Sequence, residues 1–360
     1  MNTVKSMLLL VLFFACVVLT ACQKEESKEE SREALPVVTG AGHEILLSNL
    51  QTPWSIQKHN DTFYISERTG YIYMYDGETK SRQTVQLQER LAQTPEAGLL
   101  GFIIPPRFTE TKEAYAYYTY QRGEDLFNRL TILKQEGNQW VETKPLLDGI
   151  PASTFHHGGR LQIGPDQKLY VTTGDATVPE TAQDPQSING KILRMNLDGT
   201  IPTDNPFPNS YVYSYGHRNP QGLTWSPDGT MYSTEHGQSA LDEINIIQAG
   251  RNYGWPIISG DQKREGMEAP LIHSGSQTWA PSGMDFHKGW IYFAGLRGVG
   301  VYRYHVQNQK LEKFIEGYGR VRDVWIDQDI LYFVTNNTDG RGNPDDADDK
   351  LVSVPLSEES

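Results

Sequence analysis

The feature that most constrains this chain is a loose echo that returns six times after residue 40. Each return pairs an apolar, Tyr-rich stretch with a polar turn and a second apolar stretch. The echoes open with FYISERTGYIYMYDG, AYAYYTY, KLYVTTGD, TMYSTEHG, WIYFAGLRG and ILYFVTNN. Their aligned tyrosines are Tyr64, Tyr117, Tyr170, Tyr232, Tyr292 and Tyr332, roughly 40 to 60 residues apart. That is the period of a small antiparallel sheet repeated about an axis. The stretches end at Gly, Asp or Asn, which is strand-and-turn chemistry, and no segment sustains a helical period. A unit of this kind cannot cover both of its faces alone, so neighbours must pack on it, and radial closure protects the edges. The expectation is an all-β fold, a six-bladed β-propeller of four-stranded antiparallel blades over residues 37–356. Two stacked β-domains are the rival arrangement.

Composition agrees with many short strands: 33 Gly, 20 Pro and 19 Tyr in 360 residues. The formal net charge of −13 argues against nucleic acid as a partner, because phosphate binding needs basic surface. The only cysteines are Cys16 and Cys22, so the folded body has neither a disulfide nor a thiolate metal site.

The N-terminus reads as an address. Lys5 precedes an almost wholly apolar run from Met7 to Leu19, too short for a comfortable membrane span and suited to a signal-peptide core. It ends in Leu19-Thr20-Ala21-Cys22, which resembles a bacterial lipobox. Residues 1–21 are then a lipoprotein signal peptide, and 22–36 a lipidated Cys22 with a charged tether that cannot fold alone. The implied location is extracytoplasmic, at the cell membrane, held by acyl chains on Cys22.

Four segments combine titratable side chains with glycine at strand ends, where propeller loops collect function. In the first, His156 in FHHGGRL and Asp175 in TTGD can form an oriented general base. A lone loop His satisfied by backbone is the plainer reading. In the second, Arg218 and Asn219 in YGHRNPQG can donate hydrogen bonds to a carbonyl that gains negative charge. The third runs through Glu235-His236-Gly237-Gln238, Asp242-Glu243 and Asn252-Tyr253-Gly254-Trp255-Pro256; carboxylates, carbonyls and glycines of this kind suit Ca²⁺. The fourth is Arg297 in GLRG with Arg320 and Arg322 in GRVRD, a receptor for a polycarboxylate unless local acids such as Asp323 pair with them. The Asp-rich stretch from Asp339 to Lys350 reads as a solvated loop.

Together, and in this order, these segments resemble the soluble PQQ-dependent aldose (glucose/sorbosone) dehydrogenases. GHRNPQGL and NYGWP carry most of the likeness, with HHGGRLQIGPD, GKILRMNLDGTIP, DEINII and GRVRDV beside them. The resemblance implies PQQ and Ca²⁺ as cofactors and oxidation of the C1 hydroxyl of an aldose to a lactone. Electrons would leave to an extracytoplasmic acceptor. By motif, His156 would take the proton, Asp175 would orient it, and Arg218 would stabilise the quinone oxygen. Asn219, Arg297, Arg320 and Arg322 would hold the cofactor. Gly237 and Gln238 would offer carbonyls to Ca²⁺, and Glu243 and Tyr253 match a second calcium site. The chain departs from the family pattern at Glu96 (commonly Gln), Phe155 (Asp in some glucose-oxidising members), Gln238 (often Pro) and Arg297 (often Lys). Glu96 and Phe155 would touch the sugar side of the site. A non-catalytic surface propeller and a calcium-dependent lactonase are the competing functions.

Overall fold

The computed structural model describes residues 42–356. The signal-like segment 1–21, Cys22, the tether to residue 36 and the expected domain start at residue 37 lie outside the described residues. Strands dominate; the described helices are the single turn Phe108–Thr111 and the 3₁₀ turn Pro179–Gln183.

After an N-terminal strand β1 (Glu44–Leu47), the chain builds antiparallel meanders. The first is β2 (Pro53–His59), β3 (Thr62–Glu67), β4 (Tyr71–Tyr75) and β5 (Lys80–Gln86). The second is β6 (Leu99–Ile103), β7 (Glu113–Arg122), β8 (Asp125–Glu136) and β9 (Gln139–Ala152). Then come β10 (Leu161–Ile163), β11 (Leu169–Thr173), β12 (Lys191–Met195) and β13 (Val212–Tyr215), followed by β14 (Pro220–Trp225), β15 (Met231–Glu235), β16 (Glu243–Ile247) and β17 (Ile272–His273). The next is β18 (Pro281–His287), β19 (Trp290–Gly295), β20 (Gly300–His305) and β21 (Lys310–Ile315). The last is β22 (Val321–Asp327), β23 (Ile330–Thr335) and β24 (Leu351–Pro355).

Two departures from the expected tidy repeat stand out. The last meander has three strands of its own and takes β1 as its fourth, with Glu44 opposite Ser353 and Leu47 opposite Leu351. The first two meanders are not separate sheets. They fuse into one of eight strands, because β5 and β9 pair in parallel from Thr84–Gln139 to Gln86–Val141. The cause is the length of β8 and β9, 12 and 14 residues, whose hairpin reaches far enough outward to cover the neighbouring edge.

The sequence echo maps onto one structural position. Tyr64, Tyr117, Tyr170, Tyr232, Tyr292 and Tyr332 all lie on the second strand of a meander, and all are buried. All but Tyr117 pack edge-on or stacked against aromatic neighbours, as Tyr332 does on Phe63 at 4.8 Å and Tyr170 on Trp225 at 5.1 Å between centroids. The core is therefore not one central mass. Among the described residues, buried apolar side chains form six clusters, each wedged between meanders that follow one another along the chain, with one joining the last to the first.

Candidate active site

The first strands begin irregularly. Register shifts consistent with β-bulges fall between Pro53 and Ser55, Leu99 and Phe102, Pro220 and Gly222, Pro281 and Met284, and Val321 and Asp323. A bulge kinks the strand and re-aims a side chain. Trp54, Leu100, Gln221 and Arg322 lie within these irregular stretches, and all line a single cavity of about 640 Å³. The second strands contribute their C-terminal ends, where Arg68, His236 and Arg297 follow β3, β15 and β19.

This cavity gathers the residues singled out by sequence. Glu96, His156, Arg218, Asn219, Gly237, Gln238, Arg297, Arg320 and Arg322 all line it, with Phe155 exposed at its edge. Asp175 stands behind His156 and is fully buried. Glu243 and Tyr253 line a smaller adjoining cavity of about 150 Å³, which also touches Arg218, Gly237 and Gln238.

The His156 arm is rigidly made. His156 Nδ1 lies 2.7 Å from Asp175 Oδ1, which also accepts from the Thr177 amide at 2.8 Å. With Nδ1–H donating, the neutral ring carries its lone pair on Nε2. His156 has φ 64°, a left-handed conformation uncommon outside glycine and held here by its surroundings. Its amide donates to Glu96 Oε2 at 3.1 Å, and its carbonyl packs so closely on Gly174 that a Cβ there would sit 1.9 Å from the oxygen. Asn219 Oδ1 accepts from the Gly158 amide at 3.0 Å, tying the same loop to the next meander.

Glu96 is thus occupied rather than idle. Its other oxygen accepts from Arg341 Nη1 at 3.0 Å. Burial alone would raise the Glu96 carboxyl, but Arg341, His236 and the His156 amide outweigh it and hold it down at about 2. Arg341 continues to Asp339, which also pairs with Arg320 at 2.9 Å. The loop from Asp339 onward therefore corrects its reading as merely solvated. Asp339 and Asp349 have buried carboxylates, because each accepts from groups of the site or its supports: Arg320 and Arg341 for Asp339, Thr335 and Thr338 for Asp349. Asp323 does not pair with the nearby arginines of its own segment; it binds Arg160 at 3.1 Å and the Ile56 amide at 2.8 Å.

The arginine side is less saturated. Arg218, Arg320 and Arg322 each keep a buried Nε without a hydrogen-bond acceptor, as does His236 at Nε2. Burial pushes Arg322 well below its ordinary value, helped by Arg341, Arg320 and Arg68 and opposed by Asp339. Burial also lowers Arg218 and Arg320, against the pull of Asp175 and Glu235 on the former and Asp339 on the latter. Cations crowded out of water with unused donors fit an anionic, multiply charged ligand.

Calcium donors are of another kind. Among the described residues, no three His, Cys, Asp or Glu side chains gather in metal-binding geometry. The donors singled out by sequence at Gly237 and Gln238 are main-chain carbonyls. Beside them, burial and then the neighbouring Glu235 push the Glu243 carboxyl up to about 7, an acid that a cation would favour in its ionised form.

Sequence reasoning gave no role to Trp54, Arg68 or Arg341, and named His236 only as part of the third segment. Arg68 and His236 carried a usable signal, since each directly follows a second strand, just as Gly174 does, with Arg297 one residue further on.

Residues 50–343 match the family described as glucose/sorbosone dehydrogenase. Quinoprotein glucose dehydrogenase B of Acinetobacter calcoaceticus is 36 % identical over 281 residues, 69 % of this chain but 57 % of that protein's length. Aldose sugar dehydrogenase YliI of Escherichia coli is 27 % identical over 82 % of this chain and 90 % of its own. The PQQ-bound aldose sugar dehydrogenase of Streptomyces coelicolor superposes with a TM-score of 0.81 at 34 % identity, covering 89 % of this chain and 99 % of that one. On the family match over residues 50–343 and these relatives, this chain belongs to the glucose/sorbosone dehydrogenase family.

Proposed function

We propose that this protein is a PQQ- and Ca²⁺-dependent sugar dehydrogenase on a six-bladed propeller, oxidising the C1 hydroxyl of an aldose to the lactone. The observation that carries the reading is one cavity bordered by the His156–Asp175 pair on one side and by Arg218, Arg297, Arg320 and Arg322 on the other. Bound PQQ would supply the two-electron acceptor for the hydride leaving C1. His156 Nε2 takes the hydroxyl proton, and Asp175 stabilises the imidazolium that results. Arg218 places a cation where negative charge develops. Arg297, Arg320 and Arg322 hold carboxylates, and Asn219 braces the loop between them and His156. Gly237 and Gln238 offer carbonyl oxygens to Ca²⁺, with Glu243 and Tyr253 at a second calcium position in the adjoining cavity. The protein positions and the cofactor does the redox work.

The signal-like segment supports an extracytoplasmic protein anchored by lipid on Cys22 and passing its electrons to an acceptor there. Metal-stripped protein should bind PQQ on addition of Ca²⁺, followed by absorbance, and the reconstituted form should reduce an artificial dye when given aldoses. Absence of both PQQ binding and turnover across a broad sugar panel would sink the proposal. Lactone hydrolysis without PQQ would favour the lactonase reading instead.

A further inference from the structure

Asp175 reaches Trp255 as well as His156. The Trp255 indole Nε1–H donates to Asp175 Oδ2 at 2.8 Å, while Oδ1 serves His156 and Thr177. The same indole lies 5.3 Å from the Arg218 guanidinium, within cation–π range. These three residues come from separate places: Asp175 just after β11, Arg218 just before β14, and Trp255 in the loop between β16 and β17.

The indole is itself held from its backbone. The Trp255 amide donates to the Gly216 carbonyl at 2.9 Å, and its carbonyl accepts from Gln183 Nε2 at 2.6 Å. Asn252 accepts from the Gly254 amide at 2.9 Å and sits so near Gly216 that a Cβ there would lie 2.1 Å from its Oδ1. Only glycine, at φ +77°, lets the turn carrying Arg218 approach this loop so closely.

We infer that Trp255 is a positioning residue that locks the proton-accepting pair and Arg218 into one frame. This rests on the proposed sugar-oxidising function and deepens it. Asp175 is buried, and the indole is the donor to its Oδ2 among the described residues. Without that N–H, the carboxylate can turn about its last bond and the imidazole it holds turns with it. Without the ring as well, Arg218 loses the face it lies over.

The test uses the full chain with three changes at position 255. Trp255→Phe keeps an aromatic ring and removes the donor. Trp255→Leu removes both. Site-specific replacement by benzothienylalanine, with sulfur in place of the N–H, keeps the bicyclic shape should the Phe variant fold poorly. In cofactor-free protein, the downfield proton resonance of His156 Nδ1–H, assigned by its loss in His156→Asn, should move or broaden in the variants that lack the donor. In the PQQ- and Ca²⁺-loaded enzyme, the donor-free aromatic variants should lose about tenfold to a hundredfold in kcat, as expected for a displaced catalytic group. Their sugar KM and PQQ affinity should stay near native, whereas Trp255→Leu should also bind PQQ more weakly. A native His156 resonance and native kcat in a folded donor-free variant overturn the inference. If the wild-type protein oxidises no sugar, the function is wrong, and the resonance still decides whether Trp255 positions His156.

Discussion

The two walls of the cavity are built on opposite plans. On the His156 wall the two carboxylates are spoken for: Asp175 accepts from three donors, and Glu96 from an amide and a guanidinium. On the arginine wall, buried Nε atoms of Arg218, Arg320 and Arg322 lack acceptors. The first plan suits a group that must move a proton without reorganising. The second suits a receptor whose electrostatics are completed by what it binds. Under the proposed function the difference assigns proton transfer mainly to one wall and cofactor capture mainly to the other, and mutations should separate them.

The sharpest way to test that separation is His156→Ala. Turnover should fall by about a hundredfold to ten-thousandfold, the usual range for general-base loss, while PQQ titration stays near native. Near-native turnover would show that the base lies elsewhere. The converse is Arg320→Ala, expected to weaken PQQ binding by about tenfold to a hundredfold, a charge-assisted hydrogen bond's contribution. Because Arg320 also pairs with Asp339, the double variant with Asp339→Asn separates cofactor loss from the cost of an orphaned buried acid. Equal PQQ affinity in wild type and Arg320→Ala would remove Arg320 from the receptor.

The smallest expected effect concerns Glu96, which accepts from both the His156 amide and Arg341. Its folded pKa is depressed to about 2. A depressed carboxyl contributes stability that is present above its unfolded value, about 4.3. That contribution is lost as pH falls from there through the folded value. Thermal melts of Glu96→Gln should therefore differ from wild type most at neutral pH and converge toward pH 2. A constant difference across the acid range would mean that the Arg341 contact carries little weight.

Much of this molecule was legible in its sequence, and the reasons are local. The six tyrosines report one position on one strand because burial between sheets demands a large amphipathic ring there again and again. His156, Arg218 and the paired arginines were legible because strand ends with glycine are where side chains face a cavity. What stayed hidden depends on distance. A bulge has no residue signature, so the aim of Trp54 and Gln221 was unreadable. Arg341 looked solvated because its Asp-rich neighbours dominate the composition, and only the fold brings it to Glu96, 245 residues away. The fused eight-stranded sheet follows from strand length, which short apolar runs understate.

The pairing of Glu44–Leu47 with Leu351–Pro355 sets an order of events. The first strand has no partner until almost the whole polypeptide exists, so the circle is sealed by its two ends meeting. Arg320 and Arg322 belong to the sheet sealed last, and they face an arm made much earlier. A chain cut short before Leu351 would keep Arg320 and Arg322 but lose the strand that joins their sheet to Glu44–Leu47, so no truncated product should hold them in place to capture the quinone as the finished enzyme does.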